Sequence, residues 1–95
     1  MTDLIQPEWQ DTLTLMTPIL VDGEKTETIT LNKPKRKHIV AAQKGKTPDD
    51  QDNLLVQAVT NLSLNEVMEL DQLDFEEVLR LVGPFISRSL WKKPE

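Results

Sequence analysis

Two short runs of alternating polar and apolar residues, Thr12 to Leu15 and Thr26 to Leu31, flank the dipeptide Asp22-Gly23, and this arrangement constrains the chain more than any other feature. A period of two places every second side chain on one face of an extended strand. Asp-Gly tolerates the positive φ angles of a tight hairpin turn. The sequence therefore predicts an antiparallel β-hairpin with Leu13, Leu15, Ile29 and Leu31 on a shared face. Pro18 lacks an N–H, so the first strand should be an edge or be bulged near it. Residues 1–10, with Pro7 and Trp9, have no periodicity and predict a flexible arm unless Trp9 docks.

Helix-start signals follow one another after the hairpin. Pro34 suits the first turn of a helix, and Lys35 to Lys44 reads as a short basic helix with Ile39, Val40, Ala41 and Ala42 inward, stopped by Gly45. Thr47-Pro48-Asp49-Asp50 offers a cap, a proline at the first position and acids in the first turn, where free N–H groups await them. The stripe of that helix is Leu54, Leu55, Ala58, Val59 and Leu62. Ser63-Leu64-Asn65-Glu66 is a capping box, with Leu62 and Val67 as its hydrophobic staple. Asp74 with Glu77 has the same logic with Leu73 and Val78, although Asp71 can start that helix one turn earlier. The last helix carries two apolar stripes, Phe75, Leu79, Val82, Ile86, Leu90 and Val78, Leu81, Phe85, a face wider than one packing surface requires. Surplus apolar face points to an interface. Gly83-Pro84 should kink or end the helix.

These elements give an α+β fold: an N-terminal antiparallel hairpin packed against three to four short C-terminal helices. The expected organisation is an arm at 1–10, one domain at 11–90 and a flexible tail at 91–95, containing Trp91. With 95 residues and four aromatic side chains, the core is lean, and such folds often draw stability from self-association or a partner. The chain has no cysteine, which fits a reducing compartment; neither a run long enough to span a membrane nor a basic leader is present, so the chain reads as cytoplasmic.

Charge is sorted along the sequence. Lys33 to Lys46 carries six basic residues and no acid, whereas Asp49 to Glu77 carries nine acids and no base. Clustered Lys33, Lys35, Arg36, Lys37, Lys44 and Lys46 are the best candidates for phosphate contact, but no stacking rings accompany them and the net charge is −5. A basic helix lying against acidic helices of its own fold or of a neighbouring copy explains the pattern better, and head-to-tail contact of that kind generates rings or filaments. His38 sits among cations and reads as a surface residue. Asp49, Asp50 and Asp52 lack the spacing, glycine and closing glutamate of a calcium loop, so no metal site is expected. No nucleophile, base and orienting group occur together, and no glycine pattern cradles phosphate, so neither an enzyme nor a cofactor is expected.

The order of parts resembles a known family. Pro18, Ile19, Asp22 and Gly23, closed by Leu31 and Pro34, followed by the run from Val59 to Asp74 containing Asn61-Leu62-Ser63, Glu66-Val67 and Leu70-Asp71, are similar to the small tail assembly chaperones of Mu-like and related contractile-tailed phages. The resemblance covers about residues 13–86, and departs from it at Lys35-Arg36-Lys37, where members often have Asp. It implies a non-enzyme of the bacterial cytoplasm that binds the long tape measure protein, keeps it soluble, helps tail tube subunits assemble and leaves before the virion is finished. It also implies a longer form of the chain made by ribosomal frameshifting as a further partner. The expected client-binding residues are Phe75, Val78, Leu79, Val82, Phe85 and Ile86, with electrostatic help from Lys35, Arg36 and Lys37. The rivals are a small nucleic-acid-binding regulator using residues 33–46 and a minor structural virion component.

Overall fold

Asp22 and Gly23 both have positive φ, 53° and 83°, and close a two-residue turn between β1 (Thr12–Val21) and β2 (Glu24–Thr30). The computed structural model describes residues 5–87, so the expectations for Leu90, Trp91 and the tail fall outside the described residues. The strands pair antiparallel as predicted, and Leu13, Leu15, Ile29 and Leu31 share the buried face with Ile19.

The ladder breaks around Pro18. Thr14 faces Thr28 and Ile19 faces Thr26, so Leu15 to Pro18 of β1 stand opposite the single residue Glu27. Such a bulge leaves backbone N–H groups of β1 without strand partners. Two of them, on Met16 and Thr17, donate to the carboxylate of Asp74 at 3.0 and 3.2 Å. Asp74 is only 2% exposed, so its charge is held by backbone dipoles in place of water.

That use of Asp74 decides where the last helix starts. Helix α4 (Gln72–Val82) is capped by Asp71, whose carboxylate accepts the N–H of Leu73 at 2.9 Å and the hydroxyl of Thr17 at 3.3 Å. The alternative one turn earlier is therefore the one the chain adopts, and Asp74 is free to turn towards the strand. The helix ends at Val82, and Gly83–Phe85 forms a 3-10 turn that contains Pro84, as its missing N–H demands.

The other helices follow their start signals. In α2 (Pro48–Thr60), Thr47 Oγ1 accepts the N–H of Asp50 at 3.1 Å, and Asn61 closes the helix with φ of 59°. Its inward face is rotated from the predicted stripe: Val56 and Thr60 are buried with Leu55 and Val59, while Leu54 and Ala58 are half-buried. Thr60 satisfies its hydroxyl by donating to Val56 O at 2.6 Å and accepting from Leu62 N at 3.3 Å, which lets a polar side chain take a core position. Helix α1 (Arg36–Ala42) buries Ala42 and half-buries Ile39, but Val40 and Ala41 face out, contrary to expectation. His38 is more than a surface residue there. Its Nδ1 accepts the Lys35 N–H at 2.9 Å, satisfying one of the free donors at the helix start. Gly45, expected only to stop α1, also sits where a Cβ would lie 2.6 Å from the backbone N of Gln51, so the loop between α1 and α2 needs a residue without a side chain.

Helix α3 (Leu64–Met68) begins with the predicted capping box, Glu66 N to Ser63 Oγ at 3.2 Å and Ser63 N to Glu66 Oε1 at 2.8 Å, with Leu62 and Val67 both buried. The second oxygen of Glu66 accepts Asp22 N–H at 3.3 Å and so ties the hairpin turn to α3. The Ser63 N–H, foremost, holds this carboxyl below its ordinary value. A folded-state lowering means stability that is complete above the unfolded value near 4.5 and is lost as pH falls through the lower folded value. Glu66→Gln is therefore expected to flatten the loss of stability below about pH 4.5 in acid titrations followed by circular dichroism. An unchanged acid limb would place the sensitivity elsewhere.

The core unites both layers. Leu13, Leu15, Ile19, Ile29 and Leu31 of the hairpin region pack with Val56, Val59, Val67, Val78 and Val82 of the helices. Strand β1 meets α3 and α4, and α2 meets α1, α3 and α4.

Candidate partner-binding surface

The wide apolar face of α4 is divided between inside and outside. Val78 and Val82 are 0% exposed and belong to the core; Phe75, Leu79 and Leu81 are half-buried and pack against it. Phe85 is half-buried and engaged on two sides. Trp9 meets its ring edge-on at 5.0 Å between centroids and 82° between planes, and Lys33 Nζ lies 5.3 Å from its centroid. Trp9 thus does dock. Of the six residues expected to meet a partner, Ile86 is the exposed one, and Val78 and Val82 are out of reach of any outside molecule. The apolar face expected from the sequence is shared among the hairpin, α2 and Trp9.

Exposed apolar side chains are spread over β1 (Met16, Leu20), α1 (Val40), α3 (Leu64, Met68) and α4 (Leu73), and those of α3 lie beside a depression. Leu64 and Met68, four apart, stay 48% and 57% exposed while the neighbouring Val67 enters the core. They line a depression with Leu54 and Gln57 of α2, rimmed by Lys44 and Lys46. A second depression, with Met68, Val67, Leu70 and Phe75, shares Asn53 and Met68 with the first. The two adjoin through these residues, the first mainly apolar and the second of mixed lining with Asn53 and Gln72, and form a furrow from the loop before α2 to the start of α4. A signal for it was present: Leu64 and Met68 share one side of a five-residue helix whose Val67 is already needed as a staple.

Lys35, Arg36 and Lys37 are exposed at the start of α1. Lys35 and Lys37 line a separate depression with Asn32, Lys33, His38 and Asn61. The basic run is thereby split, one part at this depression and the other, Lys44 and Lys46, at the rim of the furrow. On α4, Arg80 Nη2 donates to Glu77 Oε2 at 2.8 Å and Nε donates to Oε1. That two-pronged contact holds Glu77 below and Arg80 above their ordinary values. Among the described residues no three His, Asp or Glu side chains are grouped to hold a metal ion, and no helix is long and apolar enough to cross a membrane.

The first depression is edged by charges of both signs, Lys44, Lys46 and Asp50. The family model described as phage tail assembly chaperone proteins, E, or 41 or 14, matches residues 12–87. This chain is a member of the phage tail assembly chaperone family. The match begins with β1 and ends just beyond the 3-10 turn, so the hairpin, the furrow and the exposed Ile86 of this tail assembly chaperone all lie within it. No curated protein and no solved structure matched the chaperone significantly.

Proposed function

We propose that this chaperone binds the tape measure protein in the cytoplasm of the bacterial host, keeps it soluble, promotes assembly of tail tube subunits around it and is not retained in the virion. The observation that carries the reading is the furrow of Leu54, Leu64, Met68 and Phe75, which leaves Leu64 and the unbranched, adaptable Met68 exposed on a chain with a lean core. A long helical client exposes apolar stripes until tube protein covers them, and an amphipathic helix fits an apolar furrow through side chains three and four residues apart. Many copies on one client convert weak single contacts into strong total binding. Phe75 and Ile86 remain in the proposed site; Lys44 and Lys46 at the rim, with Lys35, Arg36 and Lys37 nearby in sequence, supply attraction to acidic client segments. A longer frameshifted form of the chain would use the same surface.

Co-expression with the tape measure protein of the same genome tests this, reading client solubility and co-elution. Met68→Asp and Leu64→Asp should each weaken capture by about tenfold or more, because each places a charge where roughly 2 kcal/mol of apolar contact would form. Both residues are exposed, so folding should change little. Leu20→Asp, on the outer face of β1, should retain capture. A client that aggregates equally with and without the chaperone sinks the proposal, and salt-dependent DNA retention lost in Lys35→Ala/Arg36→Ala/Lys37→Ala would favour the nucleic-acid rival.

A further inference from the structure

Among the described residues the sheet has two strands, and its principal helix contacts are made by β1. Strand β2 is left with an edge along which Glu24, Lys25, Glu27, Thr28 and Thr30 are exposed. A shallow groove follows this edge, bounded by Thr26, Thr28 and Thr30 on one side and by Thr60 and Leu62 on the other. A free strand edge is a template for another strand, and a two-stranded sheet is the least stable kind.

The charges on β2 indicate which strand fits. Lys25 and Glu27 lie on one face, 3.8 Å apart with side chains 70% and 67% exposed, a weak pair that can exchange partners. If two copies pair antiparallel with their buried faces on the same side, residues opposite one another must share a face, so the symmetry axis passes through a residue. Ile19 opposes Thr26 and Leu13 opposes Ile29, both in the core, so the alternation of faces shifts between Thr26 and Ile29 and the regular part of the edge is Glu24 to Glu27; there an axis at Lys25 or Glu27 sets like charges together. An axis at Thr26 sets Lys25 against Glu27 of the other copy, twice, with Thr26 on Thr26. We infer that two copies of this chaperone associate through β2 in that register, completing a four-stranded sheet. The same charges that discourage indiscriminate edge pairing select this one arrangement.

Sedimentation velocity over a concentration series tests the inference, with circular dichroism confirming the fold. The wild type should dimerise, less tightly at high salt. Lys25→Glu and Glu27→Lys should each raise the dissociation constant by about tenfold or more, since every change acts on both sides of the axis. An equimolar mixture of the two variants should associate, and Lys25→Glu/Glu27→Lys should restore self-association. A wild type that stays monomeric, single variants that dimerise as it does, or exchanged charges that fail to restore dimers would each overturn the assignment.

Discussion

Asp74→Ala should lower stability by about 3 kcal/mol, seen as a fall of roughly 2 to 3 M in the urea midpoint. The carboxylate accepts two backbone N–H groups from the bulge of β1, and charge-assisted bonds of this type contribute roughly 1.5 to 3 kcal/mol each. Alanine leaves the Met16 and Thr17 donors facing a site that is almost dry. Asp74→Asn should recover part of the loss, since one oxygen still accepts while the amide N–H₂ opposes the second donor. A midpoint within about 0.5 M of wild type for the alanine variant would show that water replaces the carboxylate and that the bulge is held by packing alone.

Val82→Asp should abolish folding. The side chain is 0% exposed within the core, so an ionised carboxyl there costs several kcal/mol without a partner, comparable to the whole stability of a domain this size. Ile86→Asp, only four residues on and 42% exposed, should fold with a loss near or below about 1 kcal/mol. The pair separates core from surface on one stretch of chain. Loss of client capture in Val82→Asp would accordingly report unfolding, whereas loss in Ile86→Asp would report contact. Native-like chemical-shift dispersion in Val82→Asp would mean that α4 is more loosely held than its burial indicates.

The hairpin and helix starts were legible because each rests on contacts within a few residues. Asp-Gly, Thr47-Pro48 and the Ser63 to Glu66 box place donors and acceptors three or fewer positions apart, and local chemistry decides them. What sequence did not fix depends on distant neighbours. Asp74 satisfies the rule for a helix cap as well as Asp71 does, and only the unpaired N–H groups of β1 show why it is used otherwise. Likewise Thr60 looks too polar for the core until its hydroxyl finds Val56 O within its own helix. For the candidate site, the apolar residues of α4 were identifiable but their division was not, because burial of Val78 and Val82 is set by a sheet far away in sequence. Leu64 and Met68 carry only their spacing of four as a signal, since a five-residue helix offers too short a window for periodicity to register.

The bonds from Met16 and Thr17 to Asp74 span 58 and 57 positions. A chain emerging from the ribosome N-terminus first therefore exposes its bulged strand long before the carboxylate that completes it has been synthesised. Closing that loop is slow relative to forming the turn at Asp22-Gly23, so the hairpin register matures late, together with α4. During that interval the apolar face of β1 lacks its cover, and the order of synthesis makes the last helix the step that commits the fold.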